Sequence, residues 1–317
     1  MRESVKDSVH AVEPADLYYG AIGWAEEGMM QIGVVYPQTE LEPDPMAVRE
    51  YAQGAEAMGY RHVLAYEHVL GANPQRPGGW SGRYNCEHSF MEPFTLFSYL
   101  SGVTEQMGFI TGILILPQRQ TALVAKQAAT LDRLCGGRLR LGIGVGWNPI
   151  EYTALNQDFS DRGIRSEEQV KLLRQLWTEP LISFDGRWHH IPDAGINPLP
   201  RQQPIPIWFG GHADTVLRRM ARHGEGWLPD YRSVEEARPS LDGLGAYLEQ
   251  EGRALEGFGL EPRVRWKEGG LDLLLTRAAE WRAAGASHLS INTMGCGFSG
   301  VNEHLEALRA FAEVFIP

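Results

Sequence analysis

The sequence predicts a parallel (β/α)₈ TIM barrel with insertion segments over residues 30–317. Three observations support that expectation. Short apolar or β-branched runs alternate strictly with longer helical stretches, the pattern of parallel crossovers. The runs are nearly continuous in apolar residues, as strands covered on both faces require. Counted along the chain, eight runs and eight principal helices fit one barrel, whose usual ~250 residues can grow by insertions to the 317 present here. A doubly wound open sheet shares the alternation, but no Gly-x-Gly-x-x-Gly follows the first run.

The first strand is read at residues 31–36, stopped by Pro37. A helix suits 45–58, opened by Pro45 and closed by Gly59. The second strand, 62–66, runs into Glu67-His68 and then into 69–91, a Gly-, Pro- and Asn-containing segment too long for an ordinary connection and expected to be functional. A helix at 92–106, a strand at 109–116 stopped by Pro117, and a helix at 121–134 stopped by Gly136-Gly137 follow. The fourth strand, 138–143, passes into Gly144-Val145-Gly146-Trp147-Asn148-Pro149, and a helix spans 166–177. Residues 182–191 hold an Asp-Gly turn between short strands and read as a hairpin outside the barrel. Strands resume at 206–209, 226–228, 264–266 and 289–291, with helices near 213–223, 234–256, 272–284 and 302–315.

A formal net charge of −11 opposes a nucleic-acid backbone or an anionic membrane as the main partner. The three cysteines, Cys86, Cys135 and Cys296, share no metal-ligand spacing, which points to a reducing, cytoplasmic compartment. No run approaches the ~20 apolar residues of a membrane span. Residues 1–29 lack a signal-peptide h-region. They are read as an N-terminal extension outside the barrel, either a flexible appendage or an upstream start.

Barrel active sites lie at the C-terminal ends of the strands. That rule selects Pro37, Glu67, His68, 111–116, 144–148, 210–212 and 293–297. His68 is the candidate catalytic residue, because a histidine there exchanges protons near neutral pH and the loop after it could close as a lid. The bland alternative is a rim histidine bonded to a loop carbonyl. Gly210-Gly211-His212, between a strand and a helix, allows close backbone approach and aims N–H groups at a phosphate; a plain turn needing positive φ would look the same. Gly142-x-Gly144-x-Gly146 with Trp147 and Asn148 has the same two readings: a close-approach loop with Asn148 as polar anchor, or a tight turn with Trp147 as wall.

Other constellations are discounted. Cys86-Glu87-His88 lacks a paired partner for a metal, and no metal site is expected. His189-His190 reads as a solvated hairpin face, and Lys267 as a surface residue. No His-x-His lies on the first strand and no Gly-x-Ser-x-Gly elbow occurs. A borrowed cofactor remains the best source of chemistry.

Residues 114–120 (Leu-Ile-Leu-Pro-Gln-Arg-Gln), 125–139 and 141–147, with Pro206-Ile207-Trp208-Phe209-Gly210-Gly211 and Gly226-Trp227 downstream, strongly resemble the luciferase-like monooxygenase family. The matches run in the correct order through nearly the whole chain after Met30. The Leu-Pro-Gln-Arg-Gln and Gly-Trp-Asn-x-x-Glu-Tyr forms resemble most a branch of coenzyme F420-dependent oxidoreductases. The resemblance implies a barrel with insertions, a homodimer, and a flavin-type ring at the strand ends. It further implies a cis non-proline peptide at Gly112-Ile113 behind that ring. Two departures stand out. Trp147 replaces a glutamate of the family's glucose-6-phosphate dehydrogenases, which argues against sugar-phosphate oxidation, and Glu67 replaces a frequent aspartate.

The resulting expectation is hydride transfer between F420 and a small organic substrate. His68 would move the proton, Thr111, Gly112 and Ile113 would back the ring, Gly146, Trp147 and Asn148 would border it, and Gly210, Gly211 and His212 would hold the phosphate. FMN is the alternative cofactor, in a two-component monooxygenase. A flavin- or deazaflavin-binding protein without turnover, and a metal-dependent hydrolase, are the rivals from other classes. The substrate pocket is assigned to residues 69–91 and 293–300.

Overall fold

A computed structural model describes residues 29–316. The extension expected at 1–29 lies, apart from Met29, outside the described residues. The elements are β1 (Gln31–Val35), α1 (Pro45–Ala57), β2 (His62–Ala65), α2 (Pro93–Ser101), β3 (Gly108–Thr111), β4 (Leu114–Ile115), α3 (Thr121–Leu134), β5 (Leu139–Gly144), α4 (Pro149–Ala154), α5 (Arg162–Thr178), β6 (Ile182–Asp185), β7 (His190–Ala194), β8 (Ile207–Gly210), α6 (Asp214–His223), β9 (Gly226–Leu228), α7 (Val234–Gln250), β10 (Gly259–Leu260), β11 (Arg263–Arg265), α8 (Gly270–Ala283), β12 (His288–Asn292) and α9 (Val301–Phe315).

Ten strand segments form one sheet, ordered β10-β9-β8-β5-β3-β2-β1-β12-β11 with β4 also on β5, and every pairing in it is parallel. β10 and β11 stand at opposite ends of that order yet are separated in sequence only by Glu261-Pro262. Glu261 N–H donates to Trp227 O at 3.0 Å on one side, and Ser290 N–H donates to Pro262 O at 3.0 Å on the other. The sheet therefore closes on itself through one strand, 259–265. Counting β3 with β4 and β10 with β11 as single strands leaves eight positions around the ring, the number the sequence predicted.

Period-2 alternation decides what points inward. On the second strand Val63, Ala65 and Glu67 face the helices, while His62, Leu64, Tyr66 and His68 share the inner face. The barrel interior has its own apolar cluster, Val35, Leu64, Ile110, Trp208 and Leu228, with Tyr66 and Ile113 against it. Inward glycines make room for the large side chains. The indole of Trp208 occupies the space a Cβ would take at Gly226 and Gly259, 2.3 and 2.2 Å from the ideal positions. The N-terminal end of the barrel is plugged by polar groups: Glu261 accepts from Arg140 at 2.6 Å, from Ser290 Oγ at 2.7 Å and pairs with His62 at 2.8 Å.

Several boundaries differ from the sequence expectation, each for a physical reason. The strand expected at 109–116 is interrupted at the Gly112–Ile113 peptide, which is cis. The helix expected to reach 106 stops at Ser101, because the Glu56 carboxylate of α1 takes the N–H groups of Glu105, Gln106 and Met107 at 3.1, 2.6 and 2.8 Å. The helix expected to 256 ends at Gln250, followed by Gly252 in the left-handed region at φ 69°. The seventh strand starts at Gly259 rather than 264; its Gly and Pro resemble a turn in sequence. An additional short helix, α4, follows Asn148.

The hairpin β6–β7 lies off the barrel sheet as expected, but His189 is not a solvated face residue. Its Nδ1 meets Glu168 Oε1 at 2.7 Å and its Nε2 meets Thr121 Oγ1 at 2.7 Å, with the side chain 11% exposed. Glu168 also accepts the N–H groups of Arg187, Trp188 and His189. The histidine fastens the hairpin to α3 and α5, while His190 alone is solvent-facing. Lys267 is exposed.

Candidate active site

Alternation along the second strand sends its last two residues in opposite directions. Glu67 is buried among the helices, accepts Ile115 N–H at 2.6 Å and pairs with Arg119, which also reaches Glu92 at 2.9 Å. Burial pushes its carboxyl up, against the pull of Arg119. Glu67 thus fixes the chain just beyond the cis peptide and makes no approach to the barrel mouth.

His68 goes the other way. Its ring lies 4.8 Å from Phe90, 5.1 Å from Tyr84 and 5.6 Å from Trp147, centroid to centroid, and Trp80 stacks on Trp147 at 5.9 Å. Three of these four aromatics come from the 69–91 segment, so that segment does lie over the candidate histidine. On its other side, His68 Nδ1 stands 3.4 Å from Glu151 Oε1. Glu151 also accepts Val69 N–H at 2.8 Å and Leu70 N–H at 3.2 Å. Burial alone would raise the Glu151 carboxyl, but His68 and the two backbone donors outweigh it and hold the group below the usual range. An ionised carboxylate only accepts, so Glu151 faces the imidazole with an acceptor at Nδ1, while His68 Nε2 has no hydrogen-bond partner among the described residues.

Glu151 appears in the sequence only as part of the Gly-Trp-Asn-x-x-Glu-Tyr form, with no role assigned to it. The signal was present: Asn148-Pro149-x-Glu151 is an N-cap, an N1 proline and a first-turn acid at a strand end. Asn148 does cap α4, its Oδ1 accepting Ile150 N–H at 3.0 Å, so its polar group already has a structural duty. Gly146 sits in the left-handed region at φ 65°, and a Cβ there would lie 2.8 Å from Ile115. Trp147 is 43% exposed and its ring packs near those of His68 and Trp80.

Around the cis peptide, Thr111 is fully buried and its hydroxyl donates to Gly142 O at 2.6 Å. It braces the shelf from behind and presents nothing to a ligand. Ile113 turns into the barrel. Cβ atoms at Gly144 and Gly210 would lie 1.9 and 2.7 Å from its side chain, so these glycines admit Ile113 as well as leaving backbone bare. Gly211 adopts φ 106°, and Gly211 and His212 are exposed, the His212 ring 5.7 Å from Tyr231.

Beside this turn is a small pocket lined by Gly144, Val145, Ser166, Gly210, Val216 and Arg219, among others. Arg219 projects from α6, is 8% exposed, and its nearest acid, Glu167, stands 3.9 Å away. Its Nε is buried with no hydrogen-bond partner. A buried guanidinium short of acceptors, next to bare backbone, fits a phosphate-bearing cofactor. Nothing in the sequence singled out Arg219, which lies mid-helix, two turns beyond the glycines. Among the described residues, no group of three or more His, Cys, Asp or Glu is placed to hold a metal, and no helix is long and apolar enough to cross a membrane.

Fold and site together define a (β/α)₈ barrel whose strand ends carry a histidine–glutamate pair, a cis peptide and a small pocket beside an under-partnered arginine. The chain belongs to the luciferase-like monooxygenase family, whose model matches residues 29–265. It is 33% identical over 235 residues to an uncharacterised protein of Mycobacterium tuberculosis, covering 69% of this chain and 81% of that one. It is 29% identical over 212 residues to an FMNH(2)-dependent dimethylsulfone monooxygenase of Pseudomonas putida, covering 66% and 55%. Its fold matches an F420-dependent secondary alcohol dehydrogenase in complex with an F420-acetone adduct, with TM-score 0.74, 16% identity, and 90% and 98% of the two chains covered. Its relatives by sequence include FMNH(2)-dependent monooxygenases and F420-dependent dehydrogenases.

Proposed function

We propose that the protein moves a hydride between coenzyme F420 and a small organic substrate, with His68 moving the accompanying proton. The observation that carries this reading is the His68–Glu151 pair under an aromatic cover, next to the cis-peptide shelf. Bound F420 supplies hydride acceptance or donation. Gly112 and Ile113 would back its ring, with Thr111 bracing them. Gly146 and Trp147 would border the ring on a turn held by Asn148. Gly210, Gly211 and His212, joined by Arg219, would hold the phosphate.

His68 Nε2 takes the hydroxyl proton as a carbinol loses its C–H hydride and becomes a carbonyl, and returns that proton in the reverse direction. Glu151 keeps the imidazole in the tautomer that allows this and stabilises the imidazolium that forms. Trp80, Tyr84, Phe90 and Trp147 keep water from the reacting atoms. Cysteine usage and the family resemblance support a cytoplasmic homodimer.

The test is an anaerobic screen of alcohols and carbonyl compounds for substrate-dependent bleaching of F420. With a substrate in hand, His68→Ala should lower turnover by about 10²–10⁴-fold and leave F420 affinity nearly unchanged. Equal losses in both would make His68 a binding residue. Oxygen consumption with reduced FMN, and no bleaching with F420, would replace this reading with the monooxygenase one.

A further inference from the structure

At the mouth of the sixth and seventh strands, arginines outnumber their acids. Arg263 NH2 stands 3.3 Å from Asp230 Oδ1, Arg265 is bonded to the same oxygen, and Arg83 NH1, from the 69–91 segment, lies 3.7 Å from Oδ2. Arg265 also reaches Glu268 at 3.4 Å, and Arg232 approaches Glu268 at 3.9 Å. Four arginines face two carboxylates, a surplus of two positive charges in a chain whose formal net charge is −11.

Arg263 is the most demanding member. It is 8% exposed and its Nε is buried without a partner. Its two backbone contacts, Gly112 O and Pro229 O, are both long at 3.4 Å. A guanidinium offers five N–H donors, and Arg263 meets them with one carboxylate, shared with Arg265, and two long carbonyl contacts, which leaves donor capacity for a further anion. The cluster also adjoins the candidate chemistry. Arg263 lies over the Tyr66 ring and Arg83 over the Tyr84 ring, each at 5.7 Å, and the Tyr84 ring also meets His68, centroids 5.1 Å apart. Tyr66 in turn accepts from Asn292 at 3.2 Å.

We propose that Arg83, Arg263 and Arg265 form a site for a carboxylate or phosphate group of the substrate, about one aromatic ring away from His68. The word substrate rests on the hydride-transfer reading; the anion site itself does not. The substrate class is then an organic anion whose oxidisable or reducible carbon lies at a fixed remove from its charge. Arg83, on the long segment, would close on the anion from outside, while Arg263 and Arg265 receive it from the barrel wall.

The test uses the full-length protein without cofactor, with inorganic phosphate and acetate as separate probes at constant ionic strength. The Arg263 Nε–H resonance is followed by NMR, assigned from its loss in Arg263→Lys. A saturable shift is expected with one of the probes, and its apparent Kd should weaken about tenfold in Arg83→Gln and in Arg265→Gln, the loss of one charge-assisted contact. The response should persist in Arg219→Gln, which separates this site from the phosphate pocket. F420 and FMN titrations of Arg83→Gln distinguish the source of the anion: unchanged affinity supports the substrate, and an equal tenfold loss moves the anionic group to the cofactor and overturns the substrate assignment. Absence of a saturable shift, or a shift that Arg83→Gln and Arg265→Gln leave intact, overturns the site altogether. The arginines would then serve only to fasten Asp230.

Discussion

Replacing Glu261 by Gln should destabilise the barrel far more than its size suggests. The side chain has no solvent exposure, and its carboxylate receives Arg140, His62 and Ser290 within 2.8 Å. The amide keeps the shape and loses the charge, which strands Arg140 as a poorly compensated cation inside the barrel, against the Trp208 ring at 4.6 Å. Breaking a buried pair in this way costs about 3–5 kcal/mol. At ~2.1 cal/mol/K per residue the unfolding entropy of this chain is roughly 0.6–0.7 kcal/mol/K, so Tm should fall by about 5–8 °C. Differential scanning calorimetry at pH 7 reads the shift directly.

The pH dependence adds a sign. Burial alone would raise the Glu261 carboxyl, but Arg140, followed by His62, holds it well below the ordinary range. A depressed carboxyl contributes stability that is present above its unfolded value near ~4.3 and lost as pH falls through the folded value. The gap between wild type and Glu261→Gln should therefore hold steady from about pH 8 to 5 and narrow below about 4. Introducing Arg140→Gln on top of Glu261→Gln should restore part of the loss, because the stranded charge is gone. A Tm within about 1 °C of wild type at pH 7 would refute the buried-pair reasoning.

Further expectations are equally concrete. His62 and His288 are both depressed, chiefly by burial, so they favour the fold fully above about pH 6.5 and lose that contribution as pH falls; His62→Gln should flatten the Tm profile as pH falls below about 6.5. Glu151→Gln should cut turnover by at least about tenfold while F420 affinity holds, and the ¹⁵N shifts of His68 should report loss of the Nδ1–H tautomer; an unchanged tautomer would remove Glu151 from its positioning role. Arg219→Gln should weaken coenzyme binding about tenfold with an unchanged circular-dichroism spectrum, and undiminished binding would place the phosphate elsewhere. Glu168→Gln should release the β6–β7 hairpin, seen as faster hydrogen exchange at 182–194 without loss of coenzyme affinity; unchanged exchange there would show that the His189 contact is dispensable.

Much of the fold was legible because apolar runs and helical stretches alternate with few ambiguities. The third strand was read as continuous, since nothing in Thr111-Gly112-Ile113 alone announces a break; only the family resemblance pointed there. The closing strand was read late because Gly259 and Pro262 look like turn residues. Gly259 is instead a socket for Trp208, a fact visible only when distant strands meet. The site divides in the same way. His68 follows from its place at a strand end, and residues 69–91 from their length. Glu151 and Arg219 reach the site from helices, across 82 positions to Val69 in one case, and helix-borne acids and arginines are ordinarily solvated. Thr111 was selected for being at the right height of the barrel, but strand alternation turns its hydroxyl to Gly142.

The most direct measurement is a fluorescence titration of the purified protein with F420 and, separately, with FMN in oxidised and reduced forms. Micromolar or tighter binding of F420, with FMN at least about tenfold weaker, is the result expected of a hydride-transfer enzyme in this family. Tighter binding of reduced FMN than of F420 would contradict the proposed function and turn the search toward oxygen-dependent chemistry.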